Sequence, residues 1–116
     1  MSREIVQTDQ APRAPSYSQA VKAAGLVFVA GQGPFDPATG EVVGQTIQEQ
    51  TGQCLRNVSA ILAAAGSSLG RVVSATFILA EESDFPGMNE EWARWFPSEP
   101  CWVTRRPRRT ARTTSS

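Results

Sequence analysis

The sequence predicts a single α+β domain in which two helices cover one face of a mixed β-sheet. Apolar runs typical of strands occupy residues 17–23, 26–32 and 71–80, and amphipathic helical patterns occupy residues 46–65 and 86–96. With one more strand after the second helix, the order would be β-β-α-β-α-β, with both helices on one face of the sheet. A length of 116 residues with 41% hydrophobic residues suits one domain with a packed core.

The predicted strands differ in their surroundings. Ala24 and Gly25 form a turn pattern between the first two apolar runs, so these runs are expected to pair antiparallel. Leu26–Val29 is apolar without alternation, which predicts a central strand buried on both faces. Residues 71–80 are rich in β-branched and aromatic side chains and predict a second central strand.

Both helices have recognisable ends. Thr46 and Glu49 fit a capping box at the start of the first helix, and Gly66 supplies its left-handed stop. Pro86 suits the first turn of the second helix, which is expected to end at Phe96. The first helix carries one apolar stripe that is expected to cover the sheet: Ile47, Cys54, Leu55, Val58, Ile61, Leu62 and Ala65.

Composition excludes several kinds of chemistry. The chain has no histidine, so Ser-His-Asp and Cys-His catalysis and the commonest zinc ligand are absent. Its two cysteines, Cys54 and Cys101, lack metal-ligand spacing and are expected to be reduced and not nucleophilic. No apolar run has the length of a membrane helix, and the first ten residues lack the apolar stretch of a signal peptide, which favours the cytoplasm.

The zero net charge conceals an uneven distribution. Residues 1–100 hold six basic and all eleven acidic side chains, whereas residues 101–116 hold five arginines and no acid. The acidic body would repel a phosphate backbone, so a nucleic-acid partner is not expected there. The tail has no strand pattern after Val103, and its composition predicts a solvated, disordered segment following a domain at 1–100.

Several segments together form a specific pattern. The run YSQAVKAAGLVFVAGQGPFDPATGEVV precedes EQTGQCLRNVSAILAAAGSSL, VVSATFILAEESDF and MNEEWARWF. In this order and spacing, over residues 3–100, they resemble the reactive-intermediate deaminase (Rid) family, known also from imine deaminases and liver perchloric-acid-soluble protein. The resemblance implies a chorismate-mutase-like fold, a homotrimer with sites between subunits, and hydrolysis of 2-imino or 2-enamino acids without metal or cofactor.

The resemblance also implies site residues. It assigns substrate binding to Tyr17, Gly31 and Asn89. From the residues alone, Tyr17 could be a half-buried packing residue with its hydroxyl in water, and Gly31 could relieve a strand bulge or a close approach. Asn89 could be a solvated polar residue or one that bonds locally.

The chain departs from the family after Pro100. The arginine that grips the substrate carboxylate would fall near Val103, and no acidic residue follows Glu99 to replace the family's water-linked glutamate. Arg105 lies two residues on, on the same side of an extended strand, and is the candidate substitute. The last strands of the fold are therefore expected to be lost or altered.

Three alternatives remain open. The missing arginine and glutamate favour a non-catalytic trimer that binds or senses a small molecule. An RNA-binding or ribonuclease role would use the basic tail, although no stacking aromatic residues accompany its arginines. Translation of a GC-rich gene in the wrong frame would also give a tail of this composition.

Overall fold

The computed structural model describes residues 2–97 and 102–107, which contain five strands and two α-helices. The strands are β1 (Glu4–Val6), β2 (Ala20–Ala23), β3 (Leu26–Val29), β4 (Ser74–Leu79) and β5 (Trp102–Pro107). The helices are α1 (Ile47–Ala64) and α2 (Phe85–Trp95), and short 3-10 turns occupy Leu69–Arg71 and Glu82–Asp84. The α+β class and both predicted helices are confirmed.

The strands form two sheets. The first is antiparallel in the order β1-β2-β3, and the second is the parallel pair β4-β5 with α2 as the crossover between its strands. Ala23 pairs with Leu26, so the β2–β3 connection is a two-residue turn at Ala24 and Gly25, as predicted. Both turn residues have positive φ, +54° and +78°, which matches the twist of an antiparallel hairpin.

The two helices form one layer over the sheets. They pack against each other, and α1 also contacts β3. On the other helix, Phe85 and Trp92 of α2 place their rings 5.9 and 6.2 Å from the ring of Phe77 on β4. The two helices touch but each packs on a different sheet, so the α+β class is confirmed with the described strands divided between two small sheets.

The core lies between α1 and the first sheet. Its fully enclosed members are small or branched: Val6, Ala11, Ala20, Ile61 and Ala65, with Val27, Val29 and Ala60 packed against them. The alanines let the helix approach the sheet closely, which leaves Ile61 with no solvent exposure. The predicted stripe of α1 therefore does cover a sheet.

Both ends of α1 have the predicted caps. The Thr46 hydroxyl accepts from the Glu49 N–H at 3.1 Å, and the Glu49 carboxylate accepts from the Thr46 N–H at 3.2 Å. At the other end Gly66 has φ +81°, its N–H donates to the Ala63 carbonyl, and the Ser67 N–H donates to the Leu62 carbonyl at 2.8 Å. This pair of bonds is the Schellman motif.

The prediction that β3 is central and buried on both faces is wrong within the described residues. It lies at the edge of the β1-β2-β3 sheet, and only its Val27 and Val29 side chains face α1. Leu26 and Phe28 face outward and are 52% and 57% exposed. The run Leu26–Val29 is apolar throughout because both faces of the sheet carry apolar side chains, although only the inner face is buried by this chain.

Two strands were not expected. β1 is only three residues long, too short for a recognisable alternation. The sequence has no strand pattern after Pro100 beyond Trp102 and Val103, yet Trp102–Pro107 pairs with β4 in register, Ser74 with Trp102 and Leu79 with Pro107. Main-chain hydrogen bonds to β4 form this ladder whatever the side chains, so a polar sequence can still occupy it. Residues 108–116, where disorder is expected, lie outside the described residues.

Replacing Ala24 by asparagine is expected to stabilise the fold. Asparagine tolerates the left-handed conformation better than alanine, so Ala24→Asn should raise the free energy of unfolding by about 0.5–1 kcal/mol. Urea denaturation measures the change. The control, Ala38→Asn, also lies at an exposed position but without positive φ. An equal gain in the control would show that backbone conformation at residue 24 is not the cause.

The capping box predicts a pH-dependent stability. Hydrogen bonds from the backbones of Gln45 and Thr46 hold the pKa of Glu49 below its ordinary 4.5. Glu49 therefore stabilises the fold above about pH 4.5, and this contribution is lost as the pH falls through the lower folded-state pKa. In denaturation curves, the difference in the free energy of unfolding between the wild type and Glu49→Gln should become smaller below that pH. The corresponding difference for the exposed control Glu90→Gln should not. A constant difference for Glu49→Gln would contradict the assignment.

Candidate functional site

Tyr17 and Gly31 lie at the same end of the β2–β3 ladder. The Ala30 N–H donates to the Gln19 carbonyl at 2.9 Å, which extends the ladder one step beyond both strands. In an antiparallel pair the next opposite residues are Ser18 and Gly31. Tyr17 adjoins Ser18, so these two predicted site residues lie at the same end of the ladder.

The segment before Tyr17 is organised by one buried amide. Gln19 is 1% exposed, and its Nε2 donates to the carbonyls of Thr8, Ala11 and Pro12 at 3.0, 3.0 and 2.7 Å. Its Oε1 accepts from the Thr8 N–H at 2.6 Å. Tyr17 itself is 55% exposed. It therefore follows a fixed segment and has about half of its side chain accessible.

Gly31 faces open space. A Cβ built at this residue would meet nothing within 4 Å, and the residue is exposed. The glycine therefore relieves no close approach inside the described chain, and that alternative explanation is not supported. Its carbonyl accepts a hydrogen bond from Gln32 Nε2 at 3.2 Å, and this bond lies in an exposed position.

The chain after Gly31 is fastened to the middle of α1. Asn57 Nδ2 donates to the carbonyls of Gly33 and Phe35 at 3.1 and 3.0 Å. Gln53 Nε2 donates to the same Phe35 carbonyl at 3.3 Å and to Asn57 Oδ1 at 3.0 Å. Asn57 and Gln53 are 1% and 8% exposed. These two amides therefore fix the path of the loop that leaves β3.

The next segment supports itself. The Asp36 carboxylate accepts from the N–H groups of Ala38 and Thr39 at 2.7 and 3.0 Å, and the Val43 N–H donates to the Pro34 carbonyl at 2.7 Å. This is the side-chain turn that the Asp-Pro sequence favours. The hairpin of residues 34–43 is thus a small rigid unit attached to α1 through its first residues.

Asn89 and Arg105 lie on other elements. Asn89 is exposed on α2, and within residues 2–97 its side chain has no hydrogen-bond partner. Arg105 occupies β5 opposite Phe77 of β4, and its side chain lies outside the described part. No hydrogen bond between described residues joins either of them to Tyr17 or Gly31.

The other reactive groups among the described residues provide no further site. Burial raises the pKa of the Cys54 thiol to about 11, so it is protonated at neutral pH and a poor nucleophile, in line with the sequence. Cys101 lies outside the described residues. Over residues 2–97 and 102–107 there is no cluster of side chains that could hold a metal ion, and no helix is long and apolar enough to cross a membrane.

The sequence did not identify Gln19, Gln53 and Asn57 as site-building residues. Hydropathy places polar residues outside the core, and the predicted stripe of α1 included only apolar ones. One available sign was that Gln53 and Asn57 are four residues apart, one helical turn, beside Cys54 and Val58 of the stripe. An amide pair on a buried helix face has a specific structural partner.

Comparison with known proteins agrees with this architecture. A family model described as Endoribonuclease L-PSP matches residues 8–114. A RutC family protein of Pyrococcus horikoshii is 47% identical, covering 87% of this chain and 82% of the relative. The 2-iminobutanoate/2-iminopropanoate deaminase of Capra hircus is 39% identical, covering 83% of this chain and 71% of the relative.

Solved structures share the fold. Yeast Mmf1 superposes with a TM-score of 0.88 at 34% identity, covering 92% of this chain and 86% of that one. This similarity confirms the α+β, chorismate-mutase-like fold. With a family model that spans nearly the whole sequence and relatives above 30% identity, the chain belongs to the Endoribonuclease L-PSP family, also called the Rid family.

Proposed function

We propose that this protein hydrolyses reactive 2-imino and 2-enamino acids to 2-oxo acids and ammonia. The observation that carries the proposal is the 39% identity, over 83% of the chain, to a protein named 2-iminobutanoate/2-iminopropanoate deaminase. The accessible Tyr17 and Gly31 at one end of the β2–β3 ladder are consistent with it, because a small ligand could contact both.

The reaction makes modest demands on the protein. An enamine first takes a proton on carbon, loses one from nitrogen and becomes an imine. Water then adds to the electrophilic imine carbon, and the C–N bond breaks as the nitrogen leaves as ammonia and the C=O bond forms. Holding the carboxylate and the water in the correct geometry supplies most of the acceleration, so neither a metal nor an organic cofactor is part of the proposal.

We assign the substrate contacts as follows. Arg105 grips the carboxylate, since a planar guanidinium matches two oxygens. Tyr17, the Gly31 backbone and Asn89 surround the rest of the molecule. The exposure of Tyr17, Gly31 and Asn89 in the single chain supports these roles, because none is committed to the core.

A homotrimer with sites between subunits is part of the proposal. The outer face of the sheets, opposite the helices, presents exposed apolar side chains from three strands: Ile5, Leu26, Phe28 and Ile78. Burial of apolar surface contributes about 25 cal/mol per Å², so this face favours association with a second copy. A neighbouring subunit would also close the open space around Gly31. We place the protein in the cytoplasm, where a free thiol such as Cys54 stays reduced.

The deaminase proposal is tested with 2-iminopropanoate generated in the cuvette. The wild type should accelerate its decay, and Arg105→Ala should lower kcat/KM by about tenfold or more because a charge-assisted contact is lost. Arg71→Ala removes the same charge from an exposed position before β4 and should change kcat/KM less than about twofold. Equal losses in both variants would remove Arg105 from the site. No acceleration by the wild type would overturn the function.

The assembly is tested separately by sedimentation. Phe28→Lys places a charge on the proposed apolar interface, where it would be desolvated without a partner, and should yield monomers. Val42→Lys is the matched control, since Val42 is 55% exposed and Phe28 57%, but Val42 lies in the 34–43 hairpin and not on the sheet. A monomeric wild type, or dissociation of both variants, would contradict the interface.

A further inference from the structure

We propose that Asn57 is a positioning residue of the substrate site: through the carbonyls of Gly33 and Phe35 it fixes the loop that carries Gly31. The inference rests on the proposed function, because it gives the Gly31 backbone a contact with substrate. It assigns a role to a buried polar group in the middle of α1 that the reaction itself does not use.

The burial of Asn57 requires an explanation. It is 1% exposed on the same helix as Leu55 and Ile61, where an apolar side chain would fill the space. A buried amide without partners costs about 1–3 kcal/mol, whereas a satisfied one is nearly neutral. Asn57 has partners for both its Nδ2 and its Oδ1, so its burial is compensated only by the loop and by Gln53.

The geometry is that of a clamp. One Nδ2 group donates to two carbonyls that are two residues apart, those of Gly33 and Phe35. The first is only two residues after Gly31. Other side-chain hydrogen bonds to residues 30–33 in the described chain are local, from Gln32 Nε2 to the carbonyls of Ala30 and Gly31. Gly31 is thus held on one side by the main-chain bond from Ala30 to Gln19, and on the other side Asn57 supplies the side-chain link to α1.

Gln53 sets the orientation of the clamp. Its Nε2 donates to Asn57 Oδ1, so the oxygen of Asn57 faces Gln53 and its nitrogen faces the loop. The orientation of Gln53 is set in turn, because its Oε1 accepts from Arg56 Nε at 3.2 Å. These hydrogen bonds are satisfied in only one orientation of the two amide groups, and that orientation fixes the positions of the Gly33 and Phe35 carbonyls.

A fixed loop matters for the reaction because orientation is its main source of acceleration. If Asn57 is removed, the carbonyl of Gly33 loses its side-chain partner and that of Phe35 keeps only Gln53. The Gly31 backbone would then sample positions away from the substrate. A displacement of about 1 Å in a positioning group can cost about a hundredfold in rate.

The experiment compares Asn57→Ala with Thr46→Ala in the full-length protein. Thr46→Ala removes the cap of the same helix at a cost of about 1 kcal/mol and leaves the loop untouched, so it reproduces loss of stability alone. Both are assayed with 2-iminopropanoate at a temperature where each is folded. Asn57→Ala should lower kcat/KM by about tenfold or more, and Thr46→Ala by less than about twofold. Similar losses in the two variants would overturn the positioning role while the deaminase function stands.

Amide hydrogen exchange supplies an independent measurement. Exchange at residues 31–36 should be faster in Asn57→Ala than in Thr46→Ala by about tenfold, while exchange in β1 and β2 should match between them. If the wild type does not hydrolyse 2-iminopropanoate, the proposed function fails. Equal exchange at residues 31–36 in Asn57→Ala and Thr46→Ala would, by itself, overturn the role of Asn57 in fixing the loop. If Asn57→Ala does not fold, Gln53→Met replaces it: it removes the hydrogen bonds from Gln53 Nε2 to the Phe35 carbonyl and to Asn57 Oδ1, so the Asn57 amide loses the bond that orients it and can turn its Nδ2 away from the loop. Unchanged loop exchange and unchanged kcat/KM in Gln53→Met would then refute the inference.

Discussion

The contact between α1 and the β1-β2-β3 sheet is the interaction on which the other parts of the structure depend. Ile61 is completely enclosed there, with Val6 and Ala20 among the residues packed around it. α2 packs against α1, and its aromatic residues in turn seat β4. The helix thus relates the two sheets, which share no strand in the described chain.

The parts of the fold that the sequence predicted are those determined within a few residues. The Thr46–Glu49 box, the Gly66 stop and the Ala24–Gly25 turn each depend on the conformational preference or hydrogen bonding of neighbouring residues. What it could not predict depends on partners distant in the chain. β5 is a strand because its main chain pairs with that of β4. The edge position of β3 depends on the order of all the strands in its sheet. Apolarity alone does not distinguish a strand buried by its own chain from one with an accessible apolar face.

The candidate site was predictable to a different degree. Resemblance supplied Tyr17, Gly31 and Asn89, and the register of the β2–β3 ladder places the first two at the same end of that ladder. The buried amides were missed because their role is visible only once their main-chain partners are known. Gln19 and Asn57 are each about as buried as any apolar core residue, and both hold carbonyls of irregular segments. In this fold, the loops at the site end of β2 and β3 are held in place by polar side chains that are as buried as the apolar core.

The parallel pairing of β4 with β5 has a consequence for the order of folding. Ser74 and Trp102 pair although the whole of α2 lies between them in the sequence. Bringing them together therefore costs more conformational entropy than closing the two-residue turn of the β2–β3 hairpin. We therefore expect the β2–β3 hairpin to form before the β4–β5 ladder. Arg105 lies on that late strand. In our proposal, the ability to bind a carboxylate therefore arises at the last step of folding and not when the core forms.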